Sequence, residues 1–145
     1  MKETKFIPLI SFFVILLDQL TKYLTSRYMQ LNQSIPLINK ILHLTYIQNT
    51  GAGFGILKGW NTLLIFISLI VIGIILFNLD KIIKEKSIYL PIALVLGGAV
   101  GNLIDRAFFG YVIDFIDFRI WPAFNVADSA ITIGAIWLIF YLWKK

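Results

Sequence analysis

Four apolar stretches, Phe6 to about Thr25, Trp60 to Leu79, Ile88 to Phe109 and Phe124 to Trp143, each run for about the 20 residues an α-helix needs to cross a bilayer. In lipid every backbone N–H and C=O must bond within its own element, so runs of this length predict membrane-spanning helices. The first follows a basic Met1 to Lys5 segment, as a signal peptide would. Its apolar core, Phe6 to Leu17, continues into Asp18-Gln19-Leu20-Thr21-Lys22 and meets no small-residue cleavage pattern, so it reads as a retained helix. With 59% hydrophobic and 14% charged residues, lipid is the main solvent. The expected fold is an all-α membrane protein with four transmembrane helices, one polytopic domain over residues 1–145 without linker or repeat.

Charge placement sets the expected topology. The segments Met1 to Lys5, Asp80 to Ser87 and Lys144-Lys145 hold Lys2, Lys5, Lys81, Lys84, Lys86, Lys144 and Lys145. The longer segments Arg27 to Gly59 and Gly110 to Pro122 hold only Arg27, Lys40, Lys58 and Arg119. Lys and Arg are retained on the cytoplasmic side, so both termini are expected there. Because the basic residues flank apolar runs, the net charge of +5 reads as a topology signal and no nucleic acid partner is expected. The chain has no Cys and a single His, which removes disulfides, thiolate nucleophiles and the usual Cys or His metal centres.

The outer segment, about residues 27–59, is more than a loop. Leu42-His43-Leu44-Thr45-Tyr46 alternates as a half-buried strand does, and Asn49-Thr50-Gly51-Ala52-Gly53-Phe54-Gly55 carries the glycines of a turn. A small extracytoplasmic β-sheet is expected. Tyr111 to Ile120 also reads as extended, which puts Asp114 and Asp117 on opposite faces, Asp117 toward water.

Acidic residues inside membrane spans are costly and usually functional. Glu3, Asp80 and Glu85 lie in the cytoplasmic flanks, whereas Asp18, Asp105, Asp114, Asp117 and Asp128 all fall toward the outer helix ends. Asp18 and Lys22 share a helix face with Thr21 and Thr25 and could be a snorkelling pair at the interface. Gly98, Asn102, Asp105 and Arg106 share another face, and Gly97 and Gly101 form a G-x-x-x-G suited to close helix packing. Asp105 and Arg106 read as a structural pair at a helix end. Asn125 suits a helix N-cap, so capping does not fully explain Asp128, about one turn deeper, which is expected to face the bundle interior.

Two carboxylates in a partly desolvated site share a proton, because one pKa rises when both cannot ionise. Such a pair can draw a proton from water while the protonated member donates to a peptide carbonyl, which needs neither Cys nor metal. The same acids could coordinate Mg²⁺ or Ca²⁺, as in a metal-dependent hydrolase, or carry protons or cations through a transporter. A transporter's acids should spread across the membrane, and the inner halves of these spans lack ionisable residues. Spacing alone does not prefer Asp114 over Asp105 as the partner of Asp128.

The blocks Asp18-Gln19-Leu20-Thr21-Lys22, Asn49 to Gly55, Gly97-Gly98-Ala99-Val100-Gly101-Asn102-Leu103-Ile104-Asp105-Arg106, Val112-Ile113-Asp114-Phe115 and Phe124-Asn125-Val126-Ala127-Asp128-Ser129 occur in that order. Over Asp18 to about Gly134 the chain closely resembles bacterial lipoprotein signal peptidase, signal peptidase II. The resemblance implies an aspartyl endopeptidase of the cytoplasmic (inner) membrane; a monomer is expected, with no cofactor or metal. It implies a β-sheet cradle on the outer face, with the active site toward that face. The implied substrate is a prolipoprotein whose Cys carries diacylglyceryl, cut on the N-terminal side of that Cys, with membrane lipid the other partner. Matched motif by motif, the catalytic pair falls on Asp114 and Asp128. Asn49, Gly51, Asn102, Arg106 and Asn125 fall on substrate-binding or supporting positions, as do Asp18, Lys22 and Asp105. Gly53 stands where the family usually has Ala, which removes no chemical group but could loosen the loop.

Overall fold

The computed structural model describes residues 6–52 and 56–145. The order of elements is α1 (Phe6–Tyr28), β1 (Ser34–Ile38), β2 (Leu42–Asn49), α2 (Asn61–Phe77), α3 (Leu79–Ile82), a 3-10 turn (Lys86–Ile88), α4 (Tyr89–Phe109), β3 (Val112–Asp117) and α5 (Val126–Trp143). The fold is mostly helical with one three-stranded sheet. Three stretches, Phe6–Tyr28, Lys86–Phe109 and Val126–Trp143, are long and apolar enough to cross a membrane. The second expected span is a 17-residue apolar helix, α2, which stops at Phe77 and turns into the short α3. At about 1.5 Å per residue α2 falls short of a full hydrocarbon core.

The bundle has its polar groups inside and its large apolar side chains outside. In α1 the buried residues are Ile7, Ser11, Asp18, Lys22 and Thr25, one stripe at helical spacing, while Phe12 is 57% exposed. α4 is central and packs against α1, α2 and α5. Its glycines make this possible. A Cβ at Gly97 would lie 2.9 Å from the Ser11 carbonyl oxygen of α1, and one at Gly98 would run into the Ala127 carbonyl oxygen of α5 and lie 2.7 Å from Ile131. Gly98→Ala should therefore overpack this contact by about 1–3 kcal/mol. The expected result is a Tm lower by about 5 °C in a detergent melt, and an unchanged Tm would refute the packing role.

Ile7, Ile75, Ile82, Tyr89 and Ile92 form one core cluster, so the start of α1, the end of α2 and the start of α4 share an end of the bundle. Lys145 reaches Glu85 there at 3.7 Å, which brings the end of α5 to the same level. The sheet occupies the opposite end. Its order is β1-β2-β3, antiparallel throughout, and β2 extends the expected strand to Asn49. Gly110, at φ +81°, caps α4 in the left-handed region and turns the chain into β3.

Two readings of charged residues change. Asp117 is buried: its Oδ2 accepts from Thr45 Oγ1 at 2.8 Å and from Arg119 Nη1 at 3.0 Å. Thr45 in turn bonds Ser34 Oγ, which bonds His43 Nδ1, so Asp117 ends a polar seam across all three strands. The expectation that it faces water took only its own strand into account, and the Thr45 side chain of the neighbouring β2 stands beside it. Asp18 and Lys22 do not snorkel either. They are 0% and 2% exposed, because α4 supplies polar partners inside the bundle.

Candidate active site

Asp114 and Asp128 are brought together by backbone pairing. Ile113 N–H donates to Asp105 Oδ2 at 3.0 Å, which ties β3 to the last turns of α4. Phe124 then pairs with Ile116, its N–H donating at 3.0 Å and its carbonyl accepting at 2.8 Å, so the start of α5 lies against β3. The chain between the two acids is folded back on itself. Both line a cavity of about 560 Å³ with Asn49, Arg106, Ser129 and Thr132, walled by Trp121 to Phe124.

Three asparagines hold the acids, and each amide has its orientation dictated by a donor behind it. Gly51 N–H donates to Asn49 Oδ1 at 2.9 Å, which leaves Asn49 Nδ2 to donate to Asp114 Oδ2 at 2.9 Å. Gly51 is required for this turn, because a Cβ there would lie 2.8 Å from the Ile56 carbonyl oxygen. Asp128 N–H donates to Asn125 Oδ1 at 2.8 Å, the N-cap bond of α5, which leaves Asn125 Nδ2 to donate to Asp114 Oδ1 at 2.7 Å. Lys22 Nζ donates to Asn102 Oδ1 at 3.0 Å, and Asn102 Nδ2 donates to Asp128 Oδ1 at 2.8 Å.

Asp128 takes part in capping, but the cap does not fully explain its placement, as expected. It is the third residue of α5 and its Oδ2 accepts from Asn125 N–H at 3.4 Å, closing a capping box. That bond is long, and Oδ1 is committed to Asn102, so the cap accounts for only part of its placement. Asp105 does not pair with Arg106. Its Oδ2 lies 3.1 Å from Lys22 Nζ and its Oδ1 accepts from Gln19 Nε2 at 2.9 Å. Lys22 is also 2.7 Å from Asp18 Oδ2, and Asp18 Oδ1 accepts from Ala127 N–H at 2.9 Å. Asp18, Lys22 and Asp105 are thus one buried cluster behind the pair. Arg106 lines the cavity and donates to the Gly51 carbonyl oxygen at 3.3 Å.

Electrostatics separates Asp114 from an ordinary surface acid. Burial, reinforced by the neighbouring Asp128 charge, pushes its pKa up to about 7 against the opposing bonds from Asn49 and Asn125. Asp117, on the other face of the strand, is held below the usual carboxylate range: bonds from Arg119 and Thr45 outweigh its burial. Among the described residues no group of three or more His, Cys, Asp or Glu is arranged to hold a metal ion.

Two contributors were not singled out from the sequence. Gln19 bonds Asp18, Asp105 and the Gly101 carbonyl oxygen, and its only signal was its place inside the Asp18 to Lys22 block. In the wall, Phe124 had only its place at the head of the Phe124 to Ser129 block, and Trp121 to Ala123 carried no signal, since their position depends on the pairing of Phe124 with β3. Gly53 lies outside the described residues.

Comparison with known proteins gives a consistent picture. The family model described as Signal peptidase (SPase) II matches residues 10–144. A lipoprotein signal peptidase of Halothermothrix orenii is 52% identical over 132 residues, 91% of each chain. One from Caldanaerobacter subterraneus subsp. tengcongensis is 50% identical over 126 residues, 86% of each. A bacterial membrane enzyme solved by the in meso method at 2.3 Å resolution superposes with a TM-score of 0.87 at 38% identity, over 95% of this chain and 87% of that one.

Proposed function

Because the chain belongs to the signal peptidase II family, a family of aspartic-type peptidases acting on lipoprotein signal peptides, we propose that it cuts within the membrane, using Asp114 and Asp128 as its catalytic pair. The observation that carries this reading is Asn125. Its side chain donates to Asp114 and its backbone to Asp128, so one residue holds both acids against a single cavity.

In this reading Asp128 takes a proton from the attacking water, and Asp114 donates its proton to the carbonyl oxygen of the scissile peptide. Collapse of the tetrahedral intermediate breaks the C–N bond. The departing amine takes the proton held by Asp128, and a hydroxyl of the intermediate returns a proton to Asp114 as the carbonyl re-forms, so both carboxyls regain their starting states. Asn49, Asn102 and Asn125 hold the pair, with Gly51 shaping the Asn49 turn. Arg106 faces the substrate from the cavity wall, and Asp18, Lys22 and Asp105 brace the site from behind.

The substrate is a prolipoprotein whose diacylglyceryl-Cys sits at the outer interface, cut on the N-terminal side of that Cys. Asp128 lies in the first turn of α5, within about 5 Å of the helix start, a depth a lipid-anchored peptide can reach without leaving the bilayer. The enzyme then lies in the cytoplasmic (inner) membrane with its active site outward and both termini inside. The single domain is monomeric, and α2 with α3 serves as the fourth span. The gathering of acids at the sheet end of the bundle gives a transmembrane ion path no support.

The direct test incubates purified enzyme with a diacylglyceryl-modified precursor and identifies the new N-terminus by mass spectrometry. Cleavage before the lipidated Cys is expected, unaffected by chelators, whereas loss of activity on chelation would point to a metal mechanism. A pH series tests the roles. Asp114 loses its proton as pH rises through about 7, so kcat/KM should fall on that side, by about tenfold per pH unit once well past it. A rate that instead climbs steadily to pH 9 would make Asp114 the base.

A further inference from the structure

Lys22 is buried to 2% exposure and belongs to neither the cavity wall nor the reacting pair, yet all three of its N–H groups are committed. They go to Asp18 Oδ2 at 2.7 Å, Asn102 Oδ1 at 3.0 Å and Asp105 Oδ2 at 3.1 Å. Two carboxylates flank the one ammonium, so its charge is opposed on the spot and is the last of the influences on Asp114. One carboxylate would have neutralised the lysine. The remaining contact is the informative one.

An ammonium has three donors and no acceptor, so Asn102 can present only its oxygen to Lys22. Its Nδ2 must then face the other way, where it donates to Asp128 Oδ1 at 2.8 Å. Rotated by half a turn, the amide would set its NH₂ against the ammonium and its oxygen against the Asp128 carboxylate, losing both bonds. Asn49 and Asn125 are oriented by backbone N–H groups, fixed by the fold itself. Asn102 alone among the three has a side-chain cation behind it: Lys22 gives its oxygen the shorter bond, at 3.0 Å, and Asn125 Nδ2 a second one at 3.2 Å.

We propose that Lys22 is a positioning residue for the peptidase pair: by fixing the Asn102 amide it keeps an N–H donor on Asp128 and so holds that carboxylate ready to take a proton from water. The inference rests on the assignment of Asp114 and Asp128 as the pair. Because neither Lys22 nor Asn102 lines the cavity, the effect falls on kcat and leaves KM alone.

Replacing Lys22 by itself would strand two buried carboxylates, so the test uses Asp18→Asn/Lys22→Met, which removes one acid together with the base, and Asp18→Asn/Lys22→Gln, which does the same and restores an N–H donor. Cleavage of a diacylglyceryl-modified precursor is measured with purified, folded enzyme. Expected for the Met variant is a kcat about 100-fold below wild type with KM within about threefold. The Gln variant should recover at least about tenfold of that loss, and in an Asn102→Ala background the Met and Gln variants should differ by less than about threefold. Equal kcat in the two variants, or a difference that persists undiminished with Asn102→Ala, overturns the proposal. Lys22→Arg adds a reading that needs no charge removal: with donors kept, its pH profile should match wild type, and a displaced profile counts against the proposal. Failure of the pair assignment would show separately, as activity surviving Asp114→Asn or Asp128→Asn.

Discussion

Asp114→Asn and Asp128→Asn are each expected to lower kcat by at least about 10³-fold, some 4 kcal/mol of transition-state stabilisation, while the protein stays folded. Each change removes one carboxyl from a pair that must hold one proton and one negative charge. Asn is nearly the same shape, so the cavity wall is preserved. Asp114 accepts on both oxygens, from Asn49 and Asn125, and both amides are locked by donors behind them. The amide introduced by Asp114→Asn would therefore oppose one NH₂ to another, at a cost of about 1–3 kcal/mol. Removing a buried acid that resists ionisation acts in the opposite direction, so the net change in Tm should be small. At Asp128 the acceptor for Asn102 survives and only the 3.4 Å capping bond is lost. The double variant should be no slower than the slower single one, since two groups acting as one unit do not add. Retention of more than a tenth of the wild-type rate by either single variant would remove that residue from the pair.

Much of this arrangement could be read from local pattern. Apolar runs gave α1, α4 and α5 to within a few residues, since helix extent in lipid follows from length and hydropathy. The alternation at Leu42 to Tyr46 marked β2, and the Asn125 cap marked the start of α5. β1 was not marked individually: all five of its residues are exposed, so it has no alternation to detect. The partners of buried charges were illegible for a different reason. Asp105 is next to Arg106 in sequence, but the contact it makes is with Lys22, 83 positions away, through the glycine-lined contact of α1 and α4. A face of α1 holding Asp18 and Lys22 could equally point to the interface or inward, and only α4 decides. Asp117 is the same case in the sheet, where a carboxylate at a strand end reads as exposed until Thr45 is placed beside it.

Asn125→Ser separates two roles that the native residue combines. Ser is about as good an N-cap as Asn, so the bond from Asp128 N–H and most of the helix-start stability should remain. What is lost is Nδ2, which donates to Asp114 Oδ1 at 2.7 Å, to the Ile113 carbonyl oxygen at 3.2 Å and to Asn102 Oδ1 at 3.2 Å. Without it Asp114 is no longer aimed, and a drop in kcat of about 10²-fold is expected with only a small fall in Tm. The bond from Asn125 favours the charged form of Asp114, so its removal raises that pKa further, and the alkaline limb of the kcat/KM profile should move to higher pH. Asn125→Asp should be slower still. It keeps the cap but turns an oxygen toward three acceptors, so a third acid must take a proton to be accommodated. An Asn125→Ser enzyme with normal kcat, or an alkaline limb displaced to lower pH, would show that Asn125 only caps α5.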